Sequence, residues 1–369
     1  MLAVLQLVVY AAMQIPVGIL LDRFGPKRVL VSGATIMALG QLTLALSETF
    51  EIAVLGRMLV GMGDAFTFIS MIRMVNGYLS GPKASKVQQW LATLGQLGQI
   101  ASAFPFVWLL DGSGWTPAFL SAAALSVFGG ALVFLFGGYT EDAKASTTSF
   151  GSVIQGLKAN IRRSSIRMAF WTHFTTQSSG TMFALLWGIP FLTLGQGYPR
   201  DTASALLALF VATNACMGPV FGAIAARGFR WRARVIVAAP LVGATLWIFT
   251  LTWQGQAPLW LLASLVICLG FGGPASMLAF DYTRAYASKQ QLGSVNGFVN
   301  IGGFLASFVM MALIGLALDA FSAGGQPSAL YSLANFRLAI PIHFLVTAFG
   351  MYFYVRELKA TVRTEGVRE

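Results

Sequence analysis

Charged side chains are scarce in this chain. They make up 10% of its 369 residues, against roughly 25% in an ordinary soluble domain. A soluble protein of this length needs a charged surface, so the shortage argues against one. Histidine and cysteine number two each. His173 and His343 have no cysteine or carboxylate at metal-ligand spacing, so no metal is expected. Cys216 and Cys268 both lie in apolar stretches, where a small, weakly polar side chain packs well, and no disulfide is expected between them. No GxxxxGK[ST] segment occurs, which argues against direct use of ATP. An intramembrane enzyme would need a cluster such as an embedded HExxH or paired aspartates on facing spans. Neither is visible, so no catalytic residues and no cofactor are expected.

Apolar residues are what the chain has in excess, at 56% with a mean hydropathy of +0.72. They gather into eleven stretches, near 2–21, 29–47, 52–72, 88–110, 116–137, 168–192, 202–225, 233–252, 257–281, 292–317 and 338–355. About 20 helical residues, rising about 1.5 Å each, cross the roughly 30 Å hydrocarbon core of a bilayer. The expected fold class is therefore all-α, a polytopic helical membrane protein. The 40 glycines and 29 phenylalanines fit it, since glycine lets helices approach closely and phenylalanine faces lipid cheaply. The first stretch lacks a basic leader and is too long for a signal peptide, so it reads as a retained span.

A formal charge of +11 could suggest nucleic acid, but the positions of the basic residues argue otherwise. They concentrate in alternate links: Arg23, Lys27 and Arg28; Arg73, Lys83 and Lys86; Lys144, Lys158, Arg162, Arg163 and Arg167; Arg227, Arg230, Arg232 and Arg234; Arg284 and Lys289; and the tail from Arg356 to Arg368. Only Arg57, Arg200 and Arg337 depart from the alternation. Under the positive-inside rule the basic links face the cytoplasm, placing the C-terminus inside and the N-terminus of this chain outside, with the inner (cell) membrane as its site. Lipids are the implied partners, and nucleic acid is not.

The polar region 138–166 divides the sequence. It predicts an N-terminal bundle at 1–137 with five spans, a cytoplasmic linker at 138–166, a C-terminal bundle at 167–357 with six spans, and a tail at 358–369. The end of the linker is basic and amphipathic, suited to the headgroup layer or to a disordered connection. Pro16, Pro105, Pro190, Pro219, Pro274 and Pro341 lie within or at the ends of spans and predict kinks.

The segment Gly18-Ile-Leu-Leu-Asp22-Arg23-Phe24-Gly25-Pro26-Lys27-Arg28 ends the first span. It resembles the signature cytoplasmic loop of the major facilitator superfamily, through Gly18, Asp22, Arg23, Gly25, Lys27 and Arg28. A weaker echo, GAIAARGFRWR from Gly222 to Arg232, carries Ala226 and Arg227 where Asp22 and Arg23 stand in the first copy. Such an echo fits two related halves. Arg57-Met-Leu-Val-Gly61-Met-Gly63 is similar to the family's fourth-helix pattern. The resemblance implies two helical bundles, transport by alternating access, and a monomer. It also implies twelve helices with both termini inside, whereas this chain begins on what matches the second helix. A start assigned too far downstream, or a truncation, would produce that difference. Drug antiporters of the family carry a glycine and proline motif in the fifth helix, where this chain reads Leu94-Gly95-Gln96-Leu97-Gly98-Gln99 with Pro105 further on, a departure that argues mildly against a drug exporter.

An ionisable group inside a bilayer is a functional candidate because it is costly to keep there. Arg57 and Asp64, seven residues apart, face roughly one side of a helix that the resemblance places at the cavity. Arg57 could bind an anion and Asp64 could exchange a proton, or each could serve an internal hydrogen-bond network. His173 and Gln177, four apart, offer a proton or substrate contact or an interface pair. Tyr10 with Gln14, Gln96 with Gln99, Asn214, and Asn296 with Asn300 add uncharged polar groups that serve recognition or helix association. Asp22, Arg23 and Arg28 are expected to act in gating, with Gly18 allowing a close crossing and Gly25 a tight turn. Lys27 and Arg227 belong to the same loops, and Asp281 with Arg284 would form a comparable latch or a plain surface pair. The expected function is a secondary transporter of a small polar or anionic metabolite, coupled to protons. The alternatives are a transport-deficient scaffold or sensor and an exporter of drugs or other amphipathic compounds. A channel finds little support, since no filter-like loop is visible.

Overall fold

A computed structural model describes residues 2–103, 105–138, 149–321 and 330–368, and helices joined by short links make up these segments. The helices are α1 (Leu2–Phe24), α2 (Pro26–Ala45), α3 (Phe50–Tyr78), α4 (Gly81–Ala103), α5 (Pro105–Ser113), α6 (Trp115–Phe136), α7 (Phe150–Ile161) and α8 (Ser164–Met182), followed by α9 (Gly188–Pro190), α10 (Arg200–Ala225) and α11 (Phe229–Thr252). Then come α12 (Leu259–Gly270), α13 (Gly272–Ser276), α14 (Leu278–Tyr286), α15 (Leu292–Phe321), α16 (Leu333–Ala339) and α17 (Ile342–Thr364). Among the described residues, ten helices are long and apolar enough to cross a membrane. The expected fourth span, 88–110, falls on α4 and α5, with residue 104 outside the described residues. Lys144 and the acidic and hydroxyl-rich parts of the linker at 139–148 also lie outside them. The basic end of the linker folds as α7, burying Val153, Leu157 and Asn160. Both cysteines are free.

The chain forms two compact units that are not simple sequence halves. The first contains Met1–Ala84, Leu97–Ile166 and Thr283–Ile301. Its core gathers Leu44, Ala45, Ala53, Val60 and Phe119. α2 and α3 touch backbone to backbone: a Cβ on Gly63 would stand 2.6 Å from the Gly33 carbonyl oxygen. The start of α6 satisfies the end of α2, since Trp115 donates to the Leu44 carbonyl at 2.6 Å and Thr116 to the Ala45 carbonyl at 2.9 Å. Those carbonyls belong to the last turn of α2, where intrahelical partners run out.

The second unit contains Ser85–Gln96, Arg167–Tyr282 and Gly302–Glu369. Aromatic rings dominate its core: Trp247 lies 6.0 Å from Phe183 and 5.3 Å from Phe191, which in turn packs against Phe336. Between α8 and the loop at Gln196, the helix widens into two π-helical turns, Phe183–Trp187 and Phe191–Gly195. Pro190 lies between them, with no N–H to donate and a ring that crowds the preceding turn, and wider turns accommodate both defects. Pro274 and Pro341 also coincide with interruptions, at α13 and at the start of α17, and Pro105 opens α5. Pro16 and Pro219 sit inside continuous helices, so they do not break α1 or α10. Near Pro274 the neighbouring helix compensates, as Gln89 of α4 donates to the Pro274 carbonyl at 2.9 Å.

Candidate functional site

Residues from three helices meet in a polar cluster of the first unit. Tyr10 and Gln14 lie one turn apart on α1, and Gln14 donates to the Tyr10 carbonyl at 3.1 Å. Asn300 of α15 donates its amide to Gln14 Oε1 at 2.7 Å and lies 3.4 Å from the Tyr10 hydroxyl. All three are buried. Asp64 of α3, half-buried, is close enough to Tyr10 to act on it electrostatically. Among the described residues, Asp64 has no hydrogen bond or ion pair. One carboxylate thus stands beside a phenol and two amides, a set able to exchange hydrogen bonds with hydroxyls or a carboxylate and to hold one proton.

Two turns away on α3, Arg57 donates to Gln6 Oε1 at 3.3 Å and lies 5.5 Å from the Phe119 ring. It makes no ion pair with Asp64 among the described residues. Gln6 is a partner not expected from the sequence, although Gln6, Tyr10 and Gln14 recur every four residues and mark one face of α1. Asn296, one turn before Asn300, joins helices instead of lining this cluster. Its Oδ1 accepts from Thr283 at 2.6 Å and ties α15 to α14.

The second unit holds a smaller cluster. His173 Nδ1 donates to the Ser276 carbonyl at 3.3 Å, and the Ser276 hydroxyl lies 2.9 Å from Gln177 Oε1. Ser276, at the end of the broken segment α13, was not expected either, because a lone serine in a span carries no sequence signal. Asn214 of α10 lies against Gly273, where a Cβ would stand 2.4 Å from its amide nitrogen. The side chains of Gln96 and Gln99 lie outside the described residues. Among the described residues, no three His, Cys, Asp or Glu side chains are grouped so as to hold a metal.

In the signature loop the Asp22 carboxylate is held by backbone donors. Asp22 accepts backbone hydrogen bonds from Gly293 at 2.7 Å and Ser294 at 2.8 Å, in the first turn of α15. Helix-start amides are unpaired donors at the positive end of the helix dipole, so they take the carboxylate without a basic side chain. Arg23 instead lies over the Phe150 ring, at 3.9 Å. Buried Arg73 exerts an electrostatic pull on Asp22. Gly18 permits the crossing, since a Cβ there would come within 2.6 Å of the Gly293 carbonyl oxygen. Gly25, at φ 80°, makes the turn into α2 in a conformation that favours glycine. Lys27 lies 5.7 Å from the Phe134 ring, and Arg28 is exposed.

In the second unit the Asp281 carboxylate accepts from Ser85 of α4 at 2.6 Å. Arg284 follows one turn later on α14. Arg227 is exposed and lies 5.3 Å from the ring of Trp231.

A pattern covering the Major Facilitator Superfamily matches residues 1–311. The chain belongs to the major facilitator superfamily. It is a multi-pass membrane protein of a class of carriers rather than enzymes. A fucose:proton symporter from Escherichia coli, FucP, is similar in structure at a TM-score of 0.65 and 16% identity, with 95% of this chain and 90% of that chain covered. The human organic anion transporter MFSD10 (TETRAN) is similar at a TM-score of 0.70 and 16% identity, over 96% of this chain and 82% of that one. At these identities the likeness shows the fold. The drug efflux pump JefA of Mycobacterium tuberculosis is 27% identical over 127 residues, 34% of this chain. The match spans about a quarter of that relative, 24% of its length.

Proposed function

We propose that this superfamily member is a proton-coupled secondary transporter that moves a small polar or anionic solute by alternating access. The observation that carries the reading is the Tyr10–Gln14–Asn300 cluster with Asp64 beside it. Three neutral groups offer recognition, and an intramembrane carboxylate with no ion pair among the described residues offers a place for a proton. Arg57 on the same helix inclines the solute towards organic or sugar-derived anions. In this reading α1 corresponds to the family's second helix, and Asp22, with the first turn of α15, forms a gate. The reading also places the protein in the inner membrane as a monomer, with its C-terminus in the cytoplasm.

Uptake by proteoliposomes tests the proposal, using labelled carboxylates, sugars, amino acids and nucleosides with and without an imposed proton gradient. The expected result is gradient-dependent accumulation of one class, weakened at least tenfold by Arg57→Ala if that class is anionic. No gradient dependence for any transported solute would overturn the coupling. The partial match to a drug efflux pump favours a second reading, export of amphipathic compounds. Gradient-driven extrusion of lipophilic cations in the same vesicles would establish it in place of the first.

A further inference from the structure

One turn of the second unit gathers cations around an aromatic ring. Arg227, Arg230, Trp231 and Arg234 are all exposed, at the junction of α10 and α11. The guanidinium of Arg227 lies 5.3 Å from the Trp231 ring and that of Arg234 5.1 Å from it. Stacking on the indole attracts each exposed cation and holds two like charges near one another.

The turn beneath them is anchored. Gly228, at φ 99°, reverses the chain, and Phe229 is buried against the Tyr282 ring at 5.5 Å. Arg232 points inward and donates to the Ala225 carbonyl at 3.0 Å. The three outer arginines therefore stay on the surface while their backbone is fixed.

Among the described residues, Arg227, Arg230 and Arg234 take part in no ion pair. Among the described carboxylates of the unit, Asp281 is engaged with Ser85 and Glu357 with Arg167 and Arg356, and Asp319 and Glu365 have interactions of their own. Asp201, at the opposite end of α10, is roughly 36 Å from its Ala225 end by helical rise. Trp231 begins an apolar helix of 24 residues, so it lies where a spanning helix leaves the bilayer and where tryptophan is favoured. The anions concentrated at that depth are lipid headgroups, and a phosphodiester accepts paired guanidinium hydrogen bonds.

We propose that Arg227, Arg230, Trp231 and Arg234 form a binding site for the phosphate headgroup of an anionic phospholipid. The site needs only a chain embedded in a membrane, and it stands or falls separately from the transport reading.

Native mass spectrometry of the full chain, titrated with phosphatidylglycerol or phosphatidylcholine, tests it. The parent should retain phosphatidylglycerol preferentially. A variant carrying Arg227→Gln, Arg230→Gln and Arg234→Gln should bind that lipid at least tenfold more weakly. A charge-matched control carrying Lys359→Gln, Arg363→Gln and Arg368→Gln should bind like the parent. Trp231→Phe should keep most of the affinity and Trp231→Ala should lose part of it. Equal behaviour of the two triple variants would overturn the site, because binding would then follow net charge alone. Displacement of the lipid by inorganic phosphate at equal concentration would also overturn it, since the site would then serve a free anion.

Discussion

The carboxylate of Asp22 and the backbone amide of Ser294 lie 2.8 Å apart across 272 residues of sequence. Asp22 thereby supplies from another helix the cap that the start of α15 would otherwise need. A hydrogen bond to a charged group is worth about 1.5–3 kcal/mol, and two such bonds can bias a two-state gate by tenfold or more. Asp22→Ala should slow transport at least tenfold, while Asp22→Asn, which retains one acceptor oxygen, should fall between that variant and the parent. Initial rates in proteoliposomes, read beside the melting temperature, check this. A folded Ala variant with the parent's rate would remove Asp22 from the gate.

The same crossing depends on Gly18. A Cβ there would stand 2.6 Å from the Gly293 carbonyl oxygen and 2.8 Å from the Ser294 Cα, both backbone atoms that cannot swing aside. Gly18→Ala should cost about 1–3 kcal/mol through overpacking, lowering the melting temperature by several degrees and weakening the Asp22 contact with it. Gly129→Ala is the control, because a Cβ there would meet nothing within 4 Å and alanine favours helix. Thermal unfolding in detergent should separate the two variants. Equal melting temperatures would mean that the helices can part at no cost.

The spans were legible in the sequence because a bilayer requires long apolar helices, and the polar faces were legible where residues repeat every four, as in Tyr10 with Gln14 and His173 with Gln177. What joins those faces was not. Gln14 and Asn300 are 286 residues apart, and no local pattern pairs them. The hydrogen-bond donors to Asp22 are backbone amides, so no side chain announces them. The π-helical turns Phe183–Trp187 and Phe191–Gly195 flank Pro190, and a proline in a span predicts a kink without specifying that form. Tertiary contact, rather than local propensity, supplied the missing part of the site.

Gln14 and Asn300 should behave as one unit. Replacing either alone leaves a buried amide without its partner, at about 1–3 kcal/mol, whereas replacing both with leucine removes the exposed need together with the bond. Gln14→Leu and Asn300→Leu should each lower the melting temperature, and the double variant should lie above the sum of the two losses. A coupling of about 0.5–3 kcal/mol is expected for residues in one network. Strict additivity in thermal or denaturant unfolding would show that the 2.7 Å contact contributes nothing.

Asp64 is the sharpest test of coupling. Its carboxylate lies within a span, half-buried beside Tyr10, with no hydrogen bond or ion pair among the described residues. Moving such a group through the bilayer's low-dielectric interior is far cheaper when it is neutral, so proton uptake at Asp64 would license the change of access. Asp64→Asn fixes the neutral form. It should abolish accumulation driven by an imposed proton gradient, while solute exchange between loaded vesicles and medium continues within about threefold of the parent rate and loses its dependence on pH. Asp64→Glu should restore part of the accumulation. Counterflow and gradient-driven uptake, measured on the same vesicles, distinguish the outcomes: if both survive in the Asn variant, the coupling proton is carried elsewhere, and if both vanish in a protein that still folds, Asp64 belongs to solute binding rather than to coupling.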